Sequence, residues 1–432
     1  MSSDAVSKPI TSKPMPSKPM PSKPRPSKPI PALENPGTAP PVTAPAMTPA
    51  ESEARDLFRA LELAHYAERF RDDVFVAALP EGVLFREMLL DVKVLTGYHI
   101  RLVLVCHESA AIVGPSIEVA NKRGGRFRLC PLDFTGQTPA EETLRQSLAE
   151  GAIPVVASRD GLEEGVASGI VKGGEDGPGG DPVFALAGNL AQSLGARKLF
   201  LFDHRVEFLL HRLQRSSVQS IELEALRDSL AHAGEERAAE LCVFIAARLA
   251  GGIPDVVVLE PRGGQMFKEA FTYEGAGLLC NATRESRIRR GMPRDVTDIG
   301  LLLRPEFEAG RIRAWDENEI EANIDNYWLY EMDGKVVGLA CLKPHGVEGE
   351  LAQFATLPRF RGKGRAGELA LHLIEEARGQ GMKKVFALSI DERMWGFFTG
   401  LGFRAIDRGE LPEAWRRNYD MNRPSRAFIL EL

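Results

Sequence analysis

Cysteine is scarce in this chain: five residues in 432, at 106, 130, 242, 280 and 341. No two of them stand in a CxxC pair or in a disulfide-like framework, so neither a cysteine-based metal site nor an oxidised scaffold is expected. That spacing suits a reducing, cytoplasmic setting. No apolar run approaches the roughly 18 residues that cross a bilayer, and no charged-apolar-cleavage pattern opens the chain. A membrane partner and a secretory route are therefore not expected. The eight histidines lack ligand spacing; His204 and His211 stand seven apart rather than four, and no metal is expected. Positive charge is also in short supply, with 54 Lys and Arg against 60 Asp and Glu, for a net charge of −6. An acidic body is a poor surface for phosphate backbones, which argues against nucleic acid as a partner.

What is present divides the chain. Residues 1–50 hold 14 of the 29 prolines, and Ser-Lys-Pro recurs every five residues from Ser7 to Ser27. Such proline density favours extended, unpacked backbone, so this stretch is expected to be a disordered tail. From Glu51 onward, 44% hydrophobic and 26% charged residues overall are enough to build buried cores. Over 51–284, the runs Val74–Leu79, Arg101–Cys106, Ile153–Ala157, Lys198–Phe202 and Asp255–Leu259 are short, apolar and β-branched, with helical stretches between them. That alternation predicts an α/β domain with a mostly parallel sheet.

Over 285–432 the order changes. A helix at Pro293–Phe307 is followed by a hairpin, Tyr327–Glu331 and Lys335–Leu342, around Met332-Asp333-Gly334. A strand at Glu350–Leu357 leads into a basic, glycine-bearing loop from Arg359 to Gly367. Then come a helix at Glu368–Arg378, a strand at Lys384–Ser389, a short helix at Met394–Gly400 and a strand at Phe403–Asp407. The loop Arg361-Gly362-Lys363-Gly364-Arg365-Ala366-Gly367 carries the chemistry. Glycines let backbone N–H groups converge, a helix start adds unpaired donors, and three cations add charge: a pocket for a diphosphate. The P-loop pattern GxxxxGK[ST] is absent, and the loop does not follow the first strand of a βαβ unit, as a Rossmann fingerprint requires.

The (Arg/Gln)-x-x-Gly-x-(Gly/Ala) pattern, filled by Arg361, Gly364 and Ala366, resembles that of the GNAT acyl-CoA N-acetyltransferases. Gly349-Glu350-Leu351-Ala352, Arg359-Phe360-Arg361-Gly362, Phe398 with Gly402-Phe403, Leu411-Pro412-Glu413, Asn418-Tyr419-Asp420 and Arg423-Pro424-Ser425-Arg426 are more closely similar to the bacterial N-acetylglutamate synthase family. The stretch Phe267–Gly277 resembles that family's segment near the carboxyl end of an amino-acid-kinase-like domain. The resemblance implies an α/β protein: a parallel-sheet sandwich of the amino-acid-kinase type followed by a mixed α+β GNAT domain. It implies acetyl transfer from acetyl-CoA to the α-amino group of L-glutamate, at the head of arginine biosynthesis.

An α-ammonium arrives mostly protonated, so the reaction needs a base. By resemblance Glu350 is that base. Phe354, Ala355 and Thr356, with the loop residues Arg361, Gly362, Lys363, Gly364, Arg365, Ala366 and Gly367, bind acetyl-CoA. Leu302, Arg304, Gln353, Arg423 and Ser425 bind glutamate, since a pair of carboxylates suits bidentate arginine. Phe398 stands where many GNAT enzymes have a tyrosine and has no proton to give, which leaves Tyr419 or solvent as the acid. The first domain lacks Lys-x-Gly-Gly on its first strand, so no kinase activity is expected. In the family this domain binds L-arginine as regulator and drives homo-oligomerisation. Lys268, Glu269, Glu274, Gly275 and Gly277 are the candidate effector residues.

Overall fold

The computed structural model describes residues 60, 62–132, 141–158, 181–272, 274–282, 286–313, 315–332 and 334–432. The Ser-Lys-Pro tail lies outside them, as does Asp333 of the hairpin turn.

Strand β1 (Val74–Leu79) reads VFVAAL and is buried along its whole length, as a central parallel strand must be. Its alternate residues feed two cores: Phe75, Ala77 and Leu79 join one cluster, Val74, Val76 and Ala78 the other. With β2 (Arg101–Cys106), β3 (Phe127–Leu132), β4 (Ile153–Ser158), β5 (Lys198–Phe202), β6 (Ser217–Gln219), β7 (Asp255–Leu259) and β8 (Leu278–Asn281) it forms an eight-stranded sheet in the order β3-β4-β2-β1-β5-β7-β8-β6. All neighbours run parallel except β7 and β8. The five expected strands are there; β3, β6 and β8 were not anticipated.

The second sheet has the order β14-β15-β13-β12-β11-β10-β9. Its strands are β9 (Ser286–Arg290), β10 (Tyr327–Met332), β11 (Lys335–His345), β12 (Glu348–Thr356), β13 (Lys384–Ser389), β14 (Arg404–Ile406) and β15 (Arg426–Glu431). Two of these correct the sequence reading. β9, Ser-Arg-Ile-Arg-Arg, has no apolar alternation because it is a polar edge strand. β15 inserts between β13 and β14, a pairing of distant segments that no local pattern reveals.

The helix Val296–Glu308 follows a 3₁₀ turn at Pro293–Asp295. The helix after the basic loop begins at Arg365, three residues earlier than expected, because Gly364 (φ +76°) serves as its N-cap. One hydrophobic cluster runs through both sheets, from Phe75, Phe200 and Val257 to Leu329, Val337 and Leu357. All five cysteines are buried and unpaired.

Candidate active site

The register of β12 creates the site. It pairs antiparallel with β11, but the register shifts between Leu339 and Cys341, so that Leu339 faces Ala355 while Cys341 faces Ala352. The extra residue is a bulge, and within it Gln353 has φ +54°, in the left-handed region that side chains rarely adopt. On its other side β12 pairs with β13 only from Glu348 to Leu351. Beyond Leu351 the two parallel strands splay, and the edge of β12 is left without a strand partner.

A cleft of about 650 Å³ opens in that splay. One wall is Leu351, Ala352, Gln353, Phe354 and Thr356 of β12; the floor is the loop from Arg361 to Gly367; the far wall is Leu388 and Ser389 with the helix Glu392–Gly400. The volume is in the range of a cofactor site. Gly362 and Gly364 both have φ +76°, and a Cβ at either would meet nothing within 4 Å. The loop therefore presents bare backbone to open space where the helix Arg365–Gly379 begins. Unpaired N–H groups and the positive end of the helix dipole favour an anion there.

Four arginines line this cleft against two carboxylates. Glu306 bridges Arg311 at 2.5 Å and Arg361 at 2.9 Å, and Arg361 also donates to the Thr356 carbonyl at 3.0 Å. Asp391 caps its helix through the Arg393 N–H and pairs with the Arg393 side chain at 2.7 Å. Arg365 is buried, donates to the Phe360 carbonyl at 2.7 Å, and lies over the rings of Tyr330 and Phe360. It braces the loop.

Of the residues expected to bind acetyl-CoA, Phe354, Thr356, Arg361, Gly362, Gly364, Arg365, Ala366 and Gly367 line the cleft. Two do not. Ala355 is buried in the core opposite Leu339, and Lys363 turns away to pair with Glu222, which also holds Arg215. Burial draws the Lys363 ammonium below its usual range despite that pair.

The expected acceptor set is not gathered in the cleft; Gln353 alone lines it. The Gln353 side chain hydrogen-bonds the Tyr327 hydroxyl, and its Oε1 is buried without a partner. Leu302 is a core residue, and Arg304 pairs with Glu308 at 2.8 Å. Arg423 donates to the carbonyls of Gly310 and Arg311 at 2.9 and 2.7 Å, fastening a loop rather than presenting itself to a carboxylate. Tyr419 stacks on Trp415 and donates to Ser425 Oγ at 2.8 Å, outside the cleft lining. Glu350 lies beside Phe386 in register, on the sheet face covered by Trp415, with its carboxylate 3.6 Å from His345 Nε2.

The sequence reading missed Glu306, Arg311, Ser389, Asp391 and Arg393. The available signal was positional: ligands sit beyond the carboxyl ends of parallel strands, and there Ser389 ends β13 and Asp391 follows it.

The expected effector residues are not an open site. Glu269 is buried and holds Arg359 in a two-point ion pair at 2.7 and 2.9 Å. Its carboxylate also accepts from the Ala276 N–H, and Arg359 donates to the Gly277 carbonyl. A Cβ on Gly275 would strike the Arg359 guanidinium at 2.4 Å. Glu274 is exposed, and the Thr272 hydroxyl donates to the Lys268 carbonyl at 2.8 Å. Glu269 and the Gly277 carbonyl grip an arginine of the same chain. No group of metal-binding side chains occurs among the described residues, and no described helix is long and apolar enough to cross a membrane.

Comparison with known proteins gives the class first: residues 296–403, which contain the cleft, match the acetyltransferase (GNAT) family model. The particular relatives are similar over a longer stretch. The amino-acid acetyltransferase of Neisseria meningitidis serogroup B is 30% identical over 239 residues, 55% of this chain and 54% of that protein. That of Azotobacter vinelandii is 28% identical over 246 residues, 56% of each. The chain thus spans about half the length of the curated relatives it matches. The crystal structure of N-acetylglutamate synthase from Neisseria gonorrhoeae, complexed with coenzyme A and L-arginine, aligns with 87% of this chain and 99% of its own, at a TM-score of 0.51 and 22% identity. The α/β fold is the one that protein has.

Proposed function

We propose that the chain transfers the acetyl group of acetyl-CoA to the α-amino group of L-glutamate, giving N-acetyl-L-glutamate and CoA. The observation that carries this reading is the splay between β12 and β13, ending on a double-glycine loop at a helix start. The diphosphate of acetyl-CoA lies against the loop amides of Gly362 to Gly367. The pantetheine arm runs along the unpaired edge of β12, with its thioester at the Gln353 bulge. Glu350, which lies outside the cleft lining beside His345, takes the proton from the acceptor amine through water, and the amine attacks the thioester carbonyl. The tetrahedral intermediate collapses, the C–S bond breaks, and the thiolate takes a proton from solvent. The names of the relatives as amino-acid acetyltransferases support the acceptor class.

The degenerate kinase-like part, 51–284, is regulatory in this reading, and 285–432 is catalytic. The protein is cytoplasmic and homo-oligomeric, and L-arginine is its regulator. To use Glu269, L-arginine has to displace Arg359, and that exchange would move the root of the coenzyme loop. A second acceptor reading, an amine other than glutamate, is favoured by one observation: Arg423 is spent on backbone carbonyls.

A thiol-release assay with acetyl-CoA across amino acids, with and without L-arginine, tests these readings. Release with L-glutamate at least tenfold faster than with other amino acids supports the first. Faster release with a different amine moves the acceptor, and no release with any amine overturns the reaction.

A further inference from the structure

Behind the coenzyme loop, between the two sheets, lies a small, partly open cavity of about 40 Å³. It is walled by five cations, Arg69, Arg197, Lys198, Lys335 and Arg359, and two carboxylates, Asp255 and Glu269. Lys198 pairs with Asp255 at 2.9 Å and Arg359 with Glu269 at 2.7 Å. Among the described residues no carboxylate forms an ion pair with Arg69, Arg197 or Lys335. The Lys335 ammonium is held over the Tyr66 ring at 5.3 Å and the Phe360 ring at 5.6 Å. Like charges gathered around so small a space repel one another, and Arg69, Arg197 and Lys335 are only half-exposed to the water that would screen them. A fold keeps such a cluster at a cost unless an anion completes it.

We propose that this cavity binds one small inorganic oxyanion, of the phosphate or sulfate class, through Arg69, Arg197 and Lys335. The size fits: the cavity admits only a few water-sized groups. A free amino acid as long as arginine is too large, and its guanidinium partner Glu269 is already taken. The anion would tie the helical segment 62–69, the start of β5 and the hairpin strand β11 into one charge-balanced centre. Phe360 and Arg359, which line the cavity, lead directly into Arg361–Gly364, so the same centre fixes the root of the coenzyme loop.

The charge state agrees with this placement. Burial first, then Arg69, Lys198 and Arg359, lowers the Lys335 pKa to about 7, with Asp255 opposing. Burial, then Arg197, likewise pulls Arg69 below its usual range, with Asp298, Tyr66 and Asp255 opposing. Tyr66, Glu269, Asn281 and Met332 also line the cavity. An anion would restore the ammonium, so binding should weaken as pH rises above about 7.

The test is thermal unfolding of the full chain at pH 6.5, titrated with phosphate and with sulfate at constant ionic strength. Chloride is the control, and L-arginine is a separate arm. The expected result is a saturable rise in unfolding temperature with either oxyanion, and one phosphate per chain by equilibrium dialysis. Lys335→Met and Arg197→Gln should each abolish saturation, and Lys335→Met should unfold no lower than the parent in oxyanion-free buffer. An equal response to chloride overturns the proposal. So does full retention of the response in both variants, or a response to L-arginine alone. If a variant does not fold, the phosphate stoichiometry of the parent decides. None of these readouts depends on acetyl transfer, so they stand or fall apart from the proposed reaction.

Discussion

Arg359 shows how much a single residue can decide. It leaves the turn before the coenzyme loop and is buried against Glu269 of the first sheet's last helix, while its own carbonyl accepts from Ser217 Oγ. Burial alone would raise the Glu269 pKa, but the Arg359 charge and hydrogen bonds outweigh it and hold the carboxyl below its usual range. Arg359→Met strands that carboxylate in the core and should cost about 3–5 kcal/mol in urea unfolding. The double variant Arg359→Met with Glu269→Met should recover most of the loss. The pair's contribution is fully present above the unfolded carboxyl pKa of roughly 4.3 and disappears as pH falls through the lower folded value. An Arg359→Met profile that stays parallel to the parent's between pH 5 and 2 would contradict this. Glu269 was legible in the sequence as a cation partner, but the identity of the cation was not. Residues 269 and 359 meet only because two sheets pack together.

At the scale of elements, β12 carries the argument. Its apolar alternation made it recognisable as a strand, and the glycines after it marked a helix start. The bulge was illegible, because it arises from a mismatch of register with β11 rather than from any residue preference. Gln353 at φ +54° is tolerated there at a cost that a β-branched residue would increase, by roughly 1–2 kcal/mol. Gln353→Val should therefore narrow the splay and weaken acetyl-CoA binding at least tenfold, as read by calorimetry. Gln353→Gly should keep that affinity, since glycine accepts the same backbone conformation. Equal affinities in both variants would show that the bulge does not shape the cleft. β15 failed to appear in the sequence reading for a related reason. Its Arg-Pro-Ser-Arg lead-in drew attention as a motif, while its partner β13 lies some forty residues away.

For the whole molecule, one apolar cluster joins the two sheets, and the described residues form one compact unit. Denaturant unfolding should therefore show a single transition, coincident by tryptophan fluorescence and far-ultraviolet circular dichroism. Two separated transitions would mean that the sheets fold independently. Lys335 adds a pH signature in oxyanion-free buffer. Its folded pKa of about 7 lies below the unfolded value, so the native state binds fewer protons between them and stability should rise from pH 7 towards 10. That slope should be reduced in Lys335→Met. The central claim concerns the loop at the head of the helix Arg365–Gly379, and calorimetric titration of the protein with acetyl-CoA tests it most directly. The account predicts one saturable site per chain, weakened at least tenfold by Gly364→Val, in a variant that retains the parent's circular dichroism. An absence of saturable binding at millimolar acetyl-CoA, or an unchanged affinity in that variant, would contradict it.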